Sequence, residues 1–540
     1  MRALLVAVFA AAALLPATLT PGRAADFSDR PPPGIRPASA TLKQVLKAHE
    51  RATGSDAVPV RTVVERGSVE QDSLSGSYTE VHAGKNYRAT ITTGPFVHAF
   101  GLYRGQLWRQ DDNGVVVLMN GVHRRDEIDE EALHGDVSDP KNGVRLLGEV
   151  NSPFAAYVVE VNPPGGRLQW LFYDKTSGLL KRVERMYPDR RTTTTYEDFH
   201  TVNGVTAPWR SRSSDGRPNN DEQWTITSLT YNAKVGENEL RIPPQSSGLV
   251  AFPPGVGSVA LPARIVDRHV IVRVVINGRG LDFILDSGSS GIAVDRQVLA
   301  QLGIAAVGSA TQTMAGTYER TKARIPQIDI GALRMRDVVV SSFPFSTAHG
   351  PAVRAVGLLG FDFIANAVLR IDYLHGLVEA IEPRTFIAPA GAVPVDAALD
   401  DGVPFVRAQV GDAIGEHFVL DTGATANILF SAFTSAHPGD VADEGGGMSF
   451  NEVNPVYNGK GVGGSLALRA TQVKRLRFAG TDFDDTLLFK TSANRPFEGE
   501  DEDGLLGYDL LKYFTVCFDY PQRRLYFLPN SLVPKRAVQR

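Results

Sequence analysis

One cysteine, Cys517, stands in 540 residues, so no intrachain disulfide can form. Cys517 lies in the strand-like run Phe514–Phe518 and reads as a small buried hydrophobe. Charge of one sign is also missing. The chain has 56 Lys and Arg against 60 Asp and Glu, a net charge of −4, which leaves no basic footprint for nucleic acid. Beyond the N-terminus no run of about 18 apolar residues occurs, so no later membrane-crossing helix is expected. The eleven His are scattered, and neither His-Glu-x-x-His nor a Cys pair is present. Neither a metal nor another cofactor is expected.

The start does carry an apolar stretch. Met1-Arg2 precedes an apolar run from Ala3 to Pro16, and Gly22-Arg23-Ala24 follows. That is the pattern of a signal peptide over 1–24, cut after Ala24. A membrane anchor is the rival reading, but the core is short and Ala-rich for spanning. The mature chain is therefore expected to be soluble and periplasmic or secreted, with no transmembrane segment after cleavage. A lipidated N-terminal cysteine is excluded, because Cys517 is far from the signal.

The remaining length allows two or three domains. Residues 25–40 are rich in Pro and polar residues and read as a flexible lead-in. Over 41–53, Leu42, Val45 and Leu46 have helical spacing, Thr41 with Gln44 reads as a capping box, and Gly54 could end the helix. From Val58 to about Ile242 strand-like runs alternate with turn residues. His82-Ala83-Gly84 and Asp111-Asp112-Asn113-Gly114 are such breaks, and they favour an antiparallel sheet over 41–242. Residues 243–261 read as a linker, the stretch from Ile242 through Pro262 carrying five prolines.

Two stretches beyond that segment carry the chemistry. Phe283-Ile284-Leu285-Asp286-Ser287-Gly288-Ser289 and Phe418-Val419-Leu420-Asp421-Thr422-Gly423-Ala424 are each an apolar strand running into Asp-Ser/Thr-Gly. Each is followed by Gly-Leu-Leu-Gly, at 357–360 and 504–507, and then by Ile371-Asp372-Tyr373 and Phe518-Asp519-Tyr520. The Gly-Leu-Leu-Gly elements are 504 − 357 = 147 residues apart, and the Asp-Ser/Thr-Gly elements 421 − 286 = 135. Matching elements in matching order mark an internal duplication. One copy alone would be weak evidence, since Asp and Gly are ordinary turn residues.

These motifs resemble the aspartic proteases, in a retropepsin-like or pepsin-like two-lobe form fused in one chain. The resemblance covers roughly Pro262 to Leu528. It implies a bilobal β-barrel half with lobes at 262–390 and 391–530, a tail at 531–540, and one active Asp per lobe. It also implies a cleft with flap hairpins. Ser289 looks pepsin-like and Ala424 retropepsin-like. The 41–242 half resembles, more weakly, the LolA-like fold of lipoprotein carriers. That impression comes from Phe172-Tyr173-Asp174-Lys175-Thr176-Ser177-Gly178-Leu179 and from Tyr196-Glu197-Asp198-Phe199 leading to Val202–Pro208. This likeness implies a curved sheet around an apolar groove, with an apolar or lipid-like ligand.

Two carboxylates held close share one proton, so one can take a proton from water while the other hydrogen-bonds a scissile carbonyl. Asp286 and Asp421 are the candidates for that work, jointly. Gly288 and Gly423 would permit a tight turn. The family implies that Ser287 and Thr422 support the pair across the lobes. Ser289 could donate to Asp286, while Ala424 offers Asp421 no such donor, so Asp286 is expected to hold the charge more often, unless Thr425 supplies the missing hydroxyl and weakens the difference. Flap positions fall on Gly316, Tyr318, Gly461 and Gly463, although a plain strand tyrosine fits Tyr318 as well. Gly459-x-Gly461-x-x-Gly464 matches a dinucleotide fingerprint in letters but follows no strand and opens no helix.

The leading reading is thus a mainly β, exported aspartic endopeptidase acting on a peptide or protein substrate, with an N-terminal β-rich domain. Its rival is a non-catalytic binding protein that carries an apolar ligand or lipoprotein in the N-terminal domain. A third makes that domain an inhibitory pro-segment.

Overall fold

The computed structural model describes residues 30–534, except 56, 120–124, 135–136, 188–189, 245–247, 314–316, 346–353, 442–455, 462–463 and 492–500. The expected signal peptide, most of the tail and the flap candidates Gly316 and Gly463 lie outside the described residues.

The chain is mainly β. Thirteen strands between Thr62 and Tyr231 form a single antiparallel sheet. Two meanders run outward from its middle, where the first strand, Thr62–Gln71, pairs with the last, Glu222–Tyr231. Alternation along each strand sends side chains to opposite faces. Val63, Val69, Leu171 and Trp224 build one face, which also receives Val45 from the helix Leu42–Thr53 and Ala132 and Leu133 from the helix Arg125–His134. The first helix has its local signals in place: Thr41 and Gln44 form a capping box, and Gly54 closes it at φ 73°. Ile91, with Tyr78 and Trp224, extends this face, where Glu65 and Glu80 are buried too.

The lead-in departs from its expectation of flexibility. Arg36 and Glu149 exchange both backbone hydrogen bonds at 2.9 Å, and Ser39 Oγ donates to Glu149 Oε2 at 2.8 Å. The proline content argued for a loose segment, but Arg36 and Ser39 anchor it to Glu149 at the sheet edge.

The other half contains two sheets of matching strand order and a six-stranded sheet that joins them. In the joining sheet Val368–Asp372 pairs antiparallel with Phe514–Asp519, so equivalent strands of the two repeats lie side by side. Cys517 is buried there, and burial pushes its thiol up to about 12. Asp372 accepts from the backbone N–H of Leu374 and His375, and Asp519 from that of Gln522, so both cap turns.

The segment expected as a linker over 243–261 carries two strands of this half. Val250–Ala251 pairs with Leu333–Phe343, and Ser258–Ala260 pairs with Leu377–Ile381. Val250, Val259 and Leu261 are buried, and these few apolar residues between prolines suffice to seat the chain on two sheet edges. The N-terminal sheet also enters the core of this half. Val115 and Val117 belong to the same apolar cluster as Phe361 and Leu399. Beside them the Asn113 side chain bonds Val339 twice: Val339 N donates to Oδ1 at 2.7 Å and Nδ2 donates to Val339 O at 2.9 Å. Among the described residues no helix is long and apolar enough to cross a membrane.

Candidate active site

Asp286 follows the strand Arg279–Leu285 and Asp421 the strand Ala413–Leu420. Each of these strands runs parallel to the Gly-Leu-Leu element of its own repeat, Gly357–Leu359 and Gly504–Leu506. The Asp286 N–H donates to Leu359 O at 3.0 Å and the Asp421 N–H to Leu506 O at 2.9 Å. Behind each loop the second glycine of Gly-Leu-Leu-Gly is required for space. A Cβ on Gly360 would stand 2.3 Å from Gly291 O, and one on Gly507 2.7 Å from Ala424 O. Leu359 and Leu506 fill the core beneath.

The two Asp loops interlock through buried side chains. Ser287 Oγ donates to Leu420 O at 2.7 Å and accepts from the Thr422 N–H at 3.0 Å. Thr422 Oγ1 donates to Leu285 O at 2.7 Å and accepts from the Ser287 N–H at 3.0 Å. Four reciprocal bonds therefore fix one loop against the other. The result sets the Asp286 and Asp421 carboxyls side by side, each against the opposite loop. Gly288 N–H donates to Asp286 Oδ1 at 2.9 Å and Gly423 N–H to Asp421 Oδ1 at 2.7 Å.

Neither Gly288 nor Gly423 has a positive φ, so the expectation of a glycine-only turn does not explain them. Close approach does. A Cβ on Gly288 would meet Asp421 Cγ at 2.7 Å, and one on Gly423 would meet Asp286 Cγ at 2.6 Å.

Burial pushes the Asp286 carboxyl well above the usual carboxylate range, and the Asp421 charge adds to this against the Gly288 and Ser289 amides. Burial raises Asp421 as well, opposed by the Gly423 amide and by the hydrogen bond to Asp286. Two like groups so placed hold one proton between them. The expected asymmetry from Ser289 loses its basis. The Ser289 hydroxyl donates to Gly291 O at 2.9 Å rather than to Asp286.

Tyr318 lies on the strand Thr317–Ile330 and pairs across the hairpin with Gln312, whose Oε1 accepts from the Tyr318 hydroxyl at 3.2 Å. Its ring packs on Phe343 at 5.1 Å, and burial pushes its hydroxyl up to about 12. In the second repeat Gly461 ends the strand Val456–Gly461, which pairs with Gly464–Phe478; the fingerprint-like glycines belong to this hairpin.

Two features escaped the sequence reading. The first is a pair of crossed aromatic contacts between the repeats. Tyr373 packs edge-on against Tyr508 at 5.9 Å, and Tyr520 lies tilted against Phe361 at 6.0 Å. The signal was present, since both repeats place an aromatic after Gly-Leu-Leu-Gly and a tyrosine after the strand Asp. Burial raises both tyrosine hydroxyls, with a contribution from Asp421 to each and from Asp286 to Tyr520. The second is the reach of the N-terminal domain. Asp362 Oδ2 accepts from the Ile292 N–H at 2.9 Å behind the Asp286 loop, and the Asp111 carboxyl, just past the strand Gln106–Gln110 of the N-terminal sheet, lies beside that same carboxyl. Arg109 forms an ion pair with Asp401 nearby. No local pattern links these segments. Among the described residues no group of three or more His, Cys, Asp or Glu is placed to hold a metal.

Comparison with known proteins adds one family. Residues 272–363, which contain Asp286 and the first Gly-Leu-Leu-Gly, match the model of an aspartyl protease family. No curated protein matches the chain. Among solved structures, an aspartic proteinase from Irpex lacteus is similar at 12% identity and TM-score 0.34, over 51% of this chain and 98% of that one. A LolA superfamily protein from Nitrosomonas europaea is similar at 14% identity and TM-score 0.29, over 38% of this chain and 99% of that one. A DUF1329 family protein from Desulfovibrio piger is similar at 15% identity and TM-score 0.30, over 38% of this chain and 98% of that one. With TM-scores below 0.5, none of these likenesses bears on function.

Proposed function

We propose that the chain is an exported aspartic endopeptidase in which Asp286 and Asp421 activate water for peptide-bond hydrolysis. One observation carries the reading: the reciprocal Ser287–Thr422 hydrogen bonds hold two half-buried carboxyls side by side at the ends of equivalent strands. The aspartyl protease match over 272–363 supports it. The fused two-lobe arrangement, with one Asp per repeat, belongs to the same proposal, as do cleavage of a signal peptide over 1–24 and periplasmic or secreted residence.

The shared proton sets the chemistry. In the free pair one carboxylate is ionised and can accept a proton from a water placed between the two. The other carries the proton and can donate to the carbonyl oxygen as it gains charge. Proton transfer from the water and attack on the carbonyl carbon then proceed together, giving a gem-diol. The protonated carboxyl then gives its proton to the departing nitrogen while the other carboxylate takes one from a gem-diol hydroxyl, so that the C–N bond breaks, a carboxylic acid forms and the pair again holds one proton. The Gly288 and Gly423 amides steady the negative charge without neutralising it.

The test is a peptide library incubated with the wild-type chain and with Asp286→Asn and Asp421→Asn across acidic and neutral pH. Each variant should fold and lose cleavage by about 1,000-fold. Full activity in either folded variant would overturn the assignment.

A further inference from the structure

The hairpin strands Ala306–Thr313 and Thr317–Ile330 carry Tyr318, which packs on the apolar cluster of Ile284 and Leu358 beneath the Asp286 loop. Its outer strand, Ala306–Thr313, is the last in its sheet, so among the described residues one backbone edge has no strand partner. An unpaired edge of this kind is loosely held and open to other chains.

The N-terminal domain occupies that edge. Asn220 takes the place of a strand residue: the Thr311 N–H donates to its Oδ1 at 2.7 Å, and its Nδ2 donates to Thr311 O at 3.0 Å. The Asn220 amide is itself oriented, because Nδ2 also donates to Asp215 Oδ2 at 3.0 Å. Three residues earlier on the strand, Gly308 at φ 75° produces a bulge between Val307 and Ala310. The bulge turns the Ser309 N–H outward to Asp72 O at 2.6 Å. Asp72 and Ser73 present that carbonyl from a tight turn with both φ positive, 52° and 59°. The inner strand is tied as well. Arg320 pairs with Asp72 at 3.0 Å, Lys322 with Asp112 at 2.8 Å, and Arg324 donates to Pro95 O at 2.9 Å. The first two pairs are mostly buried, where ionic contacts resist screening by salt.

We propose that the N-terminal domain is an in-chain brace for this hairpin, and that Asn220 is a positioning residue that fixes the hairpin's height over the catalytic pair by completing the free edge at Thr311. The role in cleavage rests on the endopeptidase reading above; the brace itself does not. Backbone-mimicking bonds from a carboxamide set the strand in one register. A hairpin so held presents a preformed cover to an extended peptide, which then loses less freedom on binding.

The experiment uses the full chain and its Asn220→Ala variant. Backbone hydrogen exchange is measured first, without substrate. The variant should exchange about tenfold faster at Thr311 and also at the amides of residues 317–322, which pair within the hairpin and do not touch Asn220. Acceleration confined to Thr311 would overturn the brace. If Asn220→Ala folds poorly, Asn220→Asp retains the acceptor for the Thr311 N–H, and an acceleration of about threefold over 317–322 is expected. Unchanged exchange there would overturn the proposal equally.

Peptide kinetics then test positioning. The variant should raise KM by about tenfold with kcat within about twofold, whereas loss of folded enzyme would lower kcat and leave KM in place. Unchanged KM with a loosened hairpin would overturn Asn220 as a positioning residue. A wild-type chain that neither cleaves peptides nor binds a statine-type inhibitor, yet keeps the exchange result, would sink the endopeptidase reading and leave the brace supported.

Discussion

Gly288 stands against Asp421, and no side chain fits between them. A Cβ on Gly288 would lie 2.7 Å from Asp421 Cγ and 2.8 Å from Oδ2. The mirrored contact of Gly423 with Asp286 Cγ, at 2.6 Å, makes the pair's spacing depend on two absent methyl groups.

Gly288→Ala and Gly423→Ala should therefore each push the opposite carboxyl aside. Peptide cleavage should fall by about 100-fold for a displacement near 1 Å. Stability should fall by about 1–3 kcal/mol, as for other overpacked sites. Kinetics and denaturant unfolding on the purified variants read the two effects separately. Normal cleavage by Gly288→Ala would mean that the carboxyls work at a wider spacing.

Thr422 serves two bonds, so its replacement separates hydroxyl from methyl. Thr422→Ala strips the Ser287 N–H and Leu285 O of their buried partner. A loss of about 3 kcal/mol is expected in urea unfolding. Thr422→Ser keeps the hydroxyl and should cost under about 1 kcal/mol. Equal losses in the two variants would show that packing, not the inter-loop hydrogen bonds, holds the loops.

The pH dependence of cleavage follows from the raised carboxyls. The pair keeps one proton to a pH above the ordinary carboxylate range, since burial and mutual charge both raise it. In the proposed reaction cleavage requires that proton, so kcat/KM should decline as pH rises through the upper ionisation. Ser289→Ala should leave both limbs of the profile in place, because the hydroxyl serves Gly291 O. A limb displaced by a full unit would show that Ser289 does act on the charge of Asp286.

Glu222 supplies a pH-dependent contribution to stability outside the site. It is buried beside Gln71 and Trp224, and burial with the Asp72 charge pushes it up to about 8 from an ordinary 4.5. A folded value above the unfolded one means that the folded chain binds the proton more tightly. The resulting stability is fully present below about pH 4.5 and is lost as pH rises through about 8. Over that window the loss should be on the order of a few kcal/mol. Urea midpoints measured from pH 4 to 9 should fall for the wild type and stay flatter for Glu222→Gln. Identical slopes for the two would remove Glu222 as the cause.

The sequence alone determined the features whose cause is local or repeated. Thr41, Gln44 and Gly54 specify the ends of one helix because capping acts within one turn of chain. The antiparallel sheet was legible from short alternating runs and their turns. The equivalent settings of Asp286 and Asp421 were legible because the same ordered elements occur twice.

Tertiary structure decided what depends on residues far apart. Ser289 could have faced Asp286, and only the path of the loop sends its hydroxyl to Gly291. Gly288 and Gly423 read as turn residues until the opposite repeat is in place, across the same 135-residue separation that joins Ser287 to Thr422. The prolines around Val250 and Val259 spelled a linker, while two sheet edges made strands of it. Asn113 to Val339 spans 226 residues and Asn220 to Thr311 spans 91. A carboxamide in a polar turn has no periodicity to betray its partner. Its role appears only when folding brings an unpaired strand edge within hydrogen-bond reach.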